Sequence, residues 1–370
     1  MKLVNGTKVK EFKRTYNFPF NYEIPNSTDA FLKANFALIS KIKFIKRKLY
    51  LSFKRQNHLE IDNILPLHQN ILWINLSAPS LGDSLMDLSS RIMLQDRKID
   101  LYTDKKNAIL YRYDAYINSV FSEINQIKQK KYDLVIIDSF STRSVKFKEK
   151  IAPLTPFVGM FGYYNGPEVN RVLFSFHQMN NLLGSVINKS EINDMAKPSI
   201  FISKSDKISI NSLKLPKEFI AIVIGGEWSF RTFNNWTQVI EKLIKLYRKR
   251  KIILIGSNNG VDDARLIIES ISSEHVFNLV AKLSFNQTAE VVSKAKFIVC
   301  CDGGLMHAAN AVDAIAVKLL AKLDDDMQLT PANNYFSLFD KVNVNNISIE
   351  NIILKCQEAS NFSDSHPERE

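Results

Sequence analysis

The sequence predicts an α/β protein of two domains, each a parallel sheet with helices on both faces. Three observations carry this. The 370 residues are enough for two separate hydrophobic cores. From Asn70 onward, short apolar runs alternate with segments of helical period, which is the pattern of βαβ units. The alternation is interrupted at residues 188–211, a stretch rich in Ser, Lys, Asn and Asp that reads as a linker, with the domain boundary near 205–217.

In chain order, residues 1–64 form a basic N-terminal extension. Within it, Ala30–Arg55 mixes Phe31, Leu32, Phe36, Ile39, Phe44, Ile45 and Leu49 with Lys41, Lys43, Lys46, Arg47, Lys48, Lys54 and Arg55. Such a basic amphipathic segment suits an anionic membrane surface or docking on the body of the protein. A first domain over 65–210 opens with the strand Ile71–Leu76, a turn over 77–83 and a helix to about Asp96. Then come the strand Ile99–Thr103, helices around Lys105–Tyr111 and Val120–Lys130, the strand Asp133–Asp138, a helix over Lys146–Ile151, the strand Phe157–Phe161 and a helix over Arg171–Leu183.

A second domain over 211–345 begins with the strand Phe219–Ile224, the turn from Gly225 to Arg231 and a helix over Trp236–Arg248. The strand Lys251–Ile255, helix Asp262–Ser272, strand His275–Leu279 and helix Asn286–Lys294 follow. They lead to the stretch Lys296–Ala321, KFIVCCDGGLMHAANAVDAIAVKLLA. It reads as a buried strand, an Asp-Gly-Gly break, a helix of small residues and a further strand, Ala314–Leu320. The glycine turn places the N–H groups of Gly303 and Gly304 at a helix N-terminus. Those donors have no intrahelical acceptor there and sit at the positive end of the dipole, which favours an anion. Residues 346–370 hold a last helix, Ser348–Ala359, and a polar tail read as disordered.

Composition narrows the function classes. Hydrophobic content of 45% and charged content of 24% fit a globular chain. No uncharged apolar run reaches the roughly eighteen residues a membrane span requires, and the N-terminus lacks the apolar core of a secretory signal. The three cysteines suggest neither a disulfide framework nor a zinc spacing, so a reducing, cytoplasmic location is expected. The net charge of +11 calls for an acidic partner: a nucleotide-bearing substrate, nucleic acid or an anionic membrane. No nucleic-acid motif is present, and nucleic acid is not expected as a partner.

Four pieces in order resemble glycosyltransferase family 9, the ADP-heptose:lipopolysaccharide heptosyltransferases. They are ILWINLSAPSLGDSLMDLSSR, VIGGEWSFRTFNNW, IILIGSNNGVDDAR and NLVAKLSFNQTAEVVSKAKFIVCCDGGLMHAANAV, spanning roughly residues 70–321. The last keeps an Asp-x-Gly-Leu-x-His core as Asp302, Gly304, Leu305 and His307. The resemblance implies the GT-B fold, two Rossmann-like domains with parallel sheets facing a central cleft, and a last helix that passes back to the first domain. It implies an inverting, metal-independent transfer of heptose from ADP-heptose to a lipid-anchored core oligosaccharide of lipopolysaccharide or lipooligosaccharide. The enzyme would be cytoplasmic, at the inner face of the inner membrane, with no cofactor beyond the ADP-sugar donor.

By the same resemblance Asp83 is the catalytic base, in a loop with Ser80 and Gly82 that would face acceptor or phosphate. From the residues alone, Asp83 could equally be a first-turn helix carboxylate capped by Ser80 or Ser84. Gly225, Gly226, Ser229, Arg231, Asp302, Gly303, Gly304, Leu305 and His307 would bind the donor. Arg231 stands where the family usually has lysine, so a planar fork replaces a point charge. Trp228 and Phe233 are assigned to packing. Gly303 replaces the usual Thr or Ser, removing a hydroxyl from the phosphate site, and Asp313-Ala314-Ile315 replaces a Gly-x-Pro. Asp324-Asp325-Asp326 is read as a solvated loop, not a metal site. A GT-B nucleotide-sugar epimerase and a degenerate, non-catalytic binding subunit are the alternatives.

Overall fold

The structure is a computed structural model that describes residues 19, 22, 37–127, 130–164, 168–271 and 274–366. Residues 30–36 of the basic segment and 367–370 of the tail lie outside the described residues. The chain divides into two compact units, Met1–Lys197 and Pro198–Glu370, earlier than the boundary expected from composition.

The first unit begins with helix α1, Ala37–Phe53. Strands β1 (Asn70–Asn75), β2 (Lys98–Thr103), β3 (Ser119–Phe121), β4 (Leu134–Ile137) and β5 (Phe157–Gly159) form one sheet in the order β3-β2-β1-β4-β5. Every pairing in it is parallel. Between the strands run helices α2 (Leu81–Asp87), α3 (Lys105–Ala108) and α4 (Thr142–Ile151); α5 (Arg171–Leu182) and α6 (Lys189–Met195) follow. The central strands are apolar runs such as Ile71-Leu72-Trp73-Ile74 and Leu134–Ile137. They are buried on both faces, as a parallel sheet covered by helices requires.

The described part of the N-terminal extension packs on this unit. Leu51 of α1 is fully buried in this unit's core, and Tyr22 is buried against Phe174 and His177 of α5. Residues Val120–Lys130, expected as one helix, hold the end of β3 and a 3-10 turn at Ile124–Gln126 capped reciprocally by Glu123 and Gln126. A three-residue edge strand is too short to show a period.

The second unit starts with α7 (Lys204–Ser212). The stretch read as a linker therefore holds two helices, α6 and α7. Its Asn and Ser residues serve as N-caps: Asn188 closes a capping box with Glu191, and Ser203 accepts from the Asp206 N–H. Strands β6 (Phe219–Val223), β7 (Lys251–Ile255), β8 (Val276–Asn278), β9 (Phe297–Cys301), β10 (Ala316–Ala321) and β11 (Tyr335–Asp340) make the second sheet, also parallel, in the order β11-β10-β9-β6-β7-β8. Its helices are α8 (Trp236–Leu246), α9 (Val261–Ser270), α10 (Phe285–Lys294), α11 (Gly304–Ala311), the short α12 (Asp325–Gln328) and α13 (Ile349–Ser365). The last helix, expected to pass back to the first domain, buries Ile352, Cys356 and Ala359 in the second unit's core. Arg250 holds its C-terminal half through Ser360 and Asp364.

Each strand order reverses once, between β1 and β4 and between β6 and β9. Loops leaving the carboxyl ends of strands at such a reversal splay apart and leave a crevice, the usual ligand position in open α/β sheets.

One charge is buried in the second sheet. Lys318, on β10, is fully buried, donates to Asn310 Oδ1 of α11 and lies opposite Cys300 of β9. Burial pushes its ammonium down to about 8. The unfolded chain therefore binds more protons between pH 8 and the ordinary lysine value. Lys318 thus destabilises the fold most below pH 8, and that penalty fades as pH rises. Relative to Lys318→Met, the wild-type protein should gain on the order of 2 kcal/mol between pH 7 and pH 10 in denaturant melts. A pH-independent difference would show that the ammonium is not desolvated.

Candidate functional site

Each unit carries a polar cluster at its strand-order reversal. In the first, Asp138 follows β4 and is nearly fully buried. Its carboxylate accepts from the N–H groups of Leu76 (2.8 Å) and Ser77 (2.7 Å) on the neighbouring β1 exit, and from Ser139 N–H and Ser144 Oγ. These bonds fix the loop that leads to α2. Ser80 is the N-cap of α2, accepting from the Asp83 N–H (3.2 Å) while its hydroxyl donates to the Asp83 carboxylate at 2.5 Å. Gly82 lies buried in the first helical turn, not in the turn before it.

Asp83 is one arm of a larger clamp. Arg171, the first residue of α5, donates Nη1 to Asp83 Oδ1 at 2.6 Å, and Nε and Nη2 to the two oxygens of Asp87 at 2.8 and 2.7 Å. Burial works against the guanidinium, but Asp87, by charge and hydrogen bond, and then Asp83 outweigh it and hold Arg171 above its ordinary value. Asp83 and Arg171 each keep about a fifth of their side-chain surface, 21% and 22%, so the clamp is open to solvent on one side. A cavity of about 420 Å³ adjoins it, lined by Arg47, Ser77, Asp87, Asp138, Ser139, Ser141, Phe161, Tyr164, Glu168, Val169 and Arg171. Carboxylates, hydroxyls and guanidinium groups around an aromatic wall suit a polyhydroxylated ligand, with Phe161 lying beneath the Arg171 guanidinium.

In the second unit, the loop after β6 turns through Gly225 at φ +88°. A Cβ there would meet the Gly260 backbone at 2.8 Å, and one on Gly226 would meet Thr232 Oγ1 at 2.4 Å. The tight packing of this loop thus requires both glycines. Ser229 is exposed, at the start of a 3-10 turn that ends in Arg231. Arg231 pairs with Asp302 (Nη1 to Oδ2, 3.1 Å), which follows β9 and is nearly buried. The pair joins the two loops that flank the reversal. Phe233 is packed in the core against Trp236, as expected, whereas Trp228 is 58% exposed and does not pack there.

Gly303 is the N-cap of α11 and offers no side-chain cap. Gly304 and Leu305 open the helix, and their N–H groups lie where no intrahelical acceptor exists. His307 is buried in the same first turn. Gly303 adopts extended backbone, φ 170°, with open space where a Cβ would be. The glycine is therefore not demanded by conformation or by space. The acidic run is built into structure: Asp324 precedes α12, and Asp325 accepts from Ser337 on β11. Among the described residues no group of three or more His, Cys, Asp or Glu is arranged to hold a metal ion.

Four residues here escaped the sequence reading. Arg171 carried a signal, because a cation in the first turn of a helix opposes the dipole and needs a carboxylate partner. Asp138 and Arg47 carried none, since their partners lie far away in sequence. Lys322, just after β10, has φ +67° and sets its ammonium 3.8 Å from the Phe230 ring centroid, on a ring that Arg231 also approaches at 5.1 Å. It brings a second cation to the Arg231 loop.

Residues 168–351 match glycosyltransferase family 9 (heptosyltransferase). A family 9 glycosyl transferase from Veillonella parvula is similar in structure, at 13% identity and TM-score 0.68, covering 80% of this chain and 99% of that one. ADP-heptose lps heptosyltransferase II of E. coli gives 17% identity and TM-score 0.64, over 80% of this chain and 100% of that one. The E. coli heptosyltransferase WaaC, solved with ADP-2-deoxy-2-fluoro heptose, gives 18% and 0.56 over 78% and 99%. No curated protein matches the sequence significantly.

The open space at residue 303 yields a test. Gly303→Thr should stabilise the second unit by about 0.5 kcal/mol, by capping α11 and restricting the unfolded chain. Denaturant unfolding measures it; a loss of stability would mean the loop needs glycine after all.

Proposed function

As a member of glycosyltransferase family 9, the chain is a glycosyltransferase, and we propose that it moves a heptose from ADP-heptose to a lipid-anchored core oligosaccharide of lipopolysaccharide or lipooligosaccharide. One observation carries the donor half: the Arg231–Asp302 pair adjoins the uncapped N-terminus of α11 at the strand-order reversal of the second sheet. Backbone N–H groups at a helix start and a guanidinium beside them are complementary to a diphosphate. The heptosyltransferase structure solved with an ADP-heptose analogue supports the choice of donor.

In this reading the diphosphate lies against the N–H groups of Gly303, Gly304 and Leu305, with Arg231 and Lys322 opposing its charge. Asp302 orients Arg231 and the sugar hydroxyls, and His307 faces sugar or phosphate. The acceptor hydroxyl attacks the anomeric carbon from the face opposite the leaving group. As the new C–O bond forms, the bond from the anomeric carbon to phosphate oxygen breaks and ADP leaves with the electron pair. Asp83 takes the hydroxyl proton, and configuration inverts in one displacement. Arg171 positions Asp83, and the cavity beside it receives the acceptor saccharide. The cations and backbone amides stabilise the departing diphosphate electrostatically, so the reading needs no metal. The enzyme would work in the cytoplasm, at the inner face of the inner membrane.

The test is turnover of purified protein with ADP-, UDP- and GDP-heptose and a core oligosaccharide acceptor, following nucleoside diphosphate release and product mass. ADP-heptose should give kcat/KM at least roughly tenfold above the others. Preference for another nucleotide would overturn the donor assignment. Sugar epimerisation without transfer, or ADP binding without turnover, would overturn the reaction.

A further inference from the structure

We propose that the outer face of α1 docks on an anionic lipid bilayer. The helix has two apolar faces. Its inner face is anchored to the first unit: Leu51 is fully buried, and Phe44 packs edge-on to Tyr163 at 5.0 Å. Arg47 donates to the carbonyls of Gly162 and Tyr164, and Lys54 pairs with Glu149 at 3.1 Å. With the helix held there, the opposite face points away from the unit's core and is exposed among the described residues.

That face carries Ile42, Ile45, Leu49 and Phe53, exposed by 58, 55, 65 and 80%. Their spacing of three, four and four residues puts them on one line along the helix, over roughly 17 Å. Isolated exposed apolar residues are ordinary; an aligned row of four large ones on a docked helix marks an interaction surface. At 3.6 residues per turn, Lys43 and Lys46 fall along one border of the row and Lys41 along the other, where Lys48 is already paired with Glu60 at 3.3 Å. The helix, ALISKIKFIKRKLYLSF, contains no acidic residue. An apolar row bordered by lysines is complementary to acyl chains beneath anionic headgroups. A second copy of this chain is the poorer occupant, because pairing the same faces sets lysine against lysine with no carboxylate on the helix to answer them.

The docking goes beyond the transferase reading and does not rest on it. One consequence does. Arg47, on the inner face of the same helix, lines the cavity next to Asp87 and Arg171. A docked α1 would hold that cavity about one helix diameter, roughly 10 Å, from the headgroups. A saccharide attached to a lipid in that bilayer could then enter it without leaving the membrane.

Full-length protein should co-sediment with vesicles containing phosphatidylglycerol and not with pure phosphatidylcholine vesicles, without donor or acceptor present. Replacing Ile42, Ile45, Leu49 and Phe53 together by Ser should lower the partition coefficient at least roughly tenfold, and Lys43→Glu with Lys46→Glu should lower it several-fold and remove its salt dependence. Because the residues are exposed, both variants should keep the wild-type circular dichroism melt, which separates lost docking from lost folding. Unchanged vesicle binding by both variants would overturn the proposal. So would a dimer in lipid-free sedimentation that the serine variant dissociates, since the face would then belong to a second copy. The readout involves no turnover, so it stands or falls apart from the transfer reaction.

Discussion

The reversal of strand order is the constraint from which both polar clusters follow. A parallel sheet wound outward in both directions from its centre must send two neighbouring loops to opposite faces. In the first sheet these are the loops after β1 and β4, which carry Ser77–Asp83 and Asp138. In the second they are the loops after β6 and β9, which carry Arg231 and Asp302–Gly304. Backbone groups there have no ladder partner and must find one in a side chain or a ligand. The first sheet solves this internally, with Asp138 accepting from the β1 loop. The second leaves the start of α11 without a side-chain cap.

Electrostatics then distinguish the two clusters. In the first unit Arg171 is balanced by two carboxylates, so it acts as a fixed brace and leaves little charge for a ligand. Asp83 is held by Ser80 on one side and Arg171 on the other, which sets its orientation to within hydrogen-bond tolerance. In the second unit Arg231 pairs with Asp302, and Lys322 lies nearby on the same aromatic ring, so two cations stand close to helix N–H donors. A diphosphate needs cations and N–H donors together; an acceptor hydroxyl needs a positioned carboxylate.

The sequence shows the fold well where burial is two-sided. The central strands of both sheets read directly as apolar runs, and α8, α10 and α11 as helical periods. Of the four edge strands, β5 and β8 still read as short apolar runs, and β3 and β11 are lost. β3 is three residues long, and β11, YFSLFD, is half-buried along its length and gave no strand signal. The 188–211 stretch misleads because the Ser and Asn residues that cap α6 and α7 have the composition of a linker. Asp83, Arg231 and Asp302 can be singled out as candidates from the sequence because motif spacing is local. Asp138 cannot, and Arg171 shows only as a cation at a helix start, because the partners that define them lie 62 and 88 residues away. The two readings of Asp83 also merge: it is both a first-turn carboxylate capped by Ser80 and an open-sided carboxylate beside a cavity.

The central claim is that Asp83 takes the acceptor proton. The most direct measurement is single-turnover transfer by Asp83→Asn at saturating ADP-heptose, with donor affinity measured in parallel. Asparagine keeps one oxygen for Arg171 Nη1, and the Ser80 hydroxyl can turn to accept from the amide that replaces Oδ2, so the fold and donor binding should persist while the rate falls about 10²- to 10⁴-fold, the usual worth of a general base. A transfer rate within a few-fold of wild type would contradict the account.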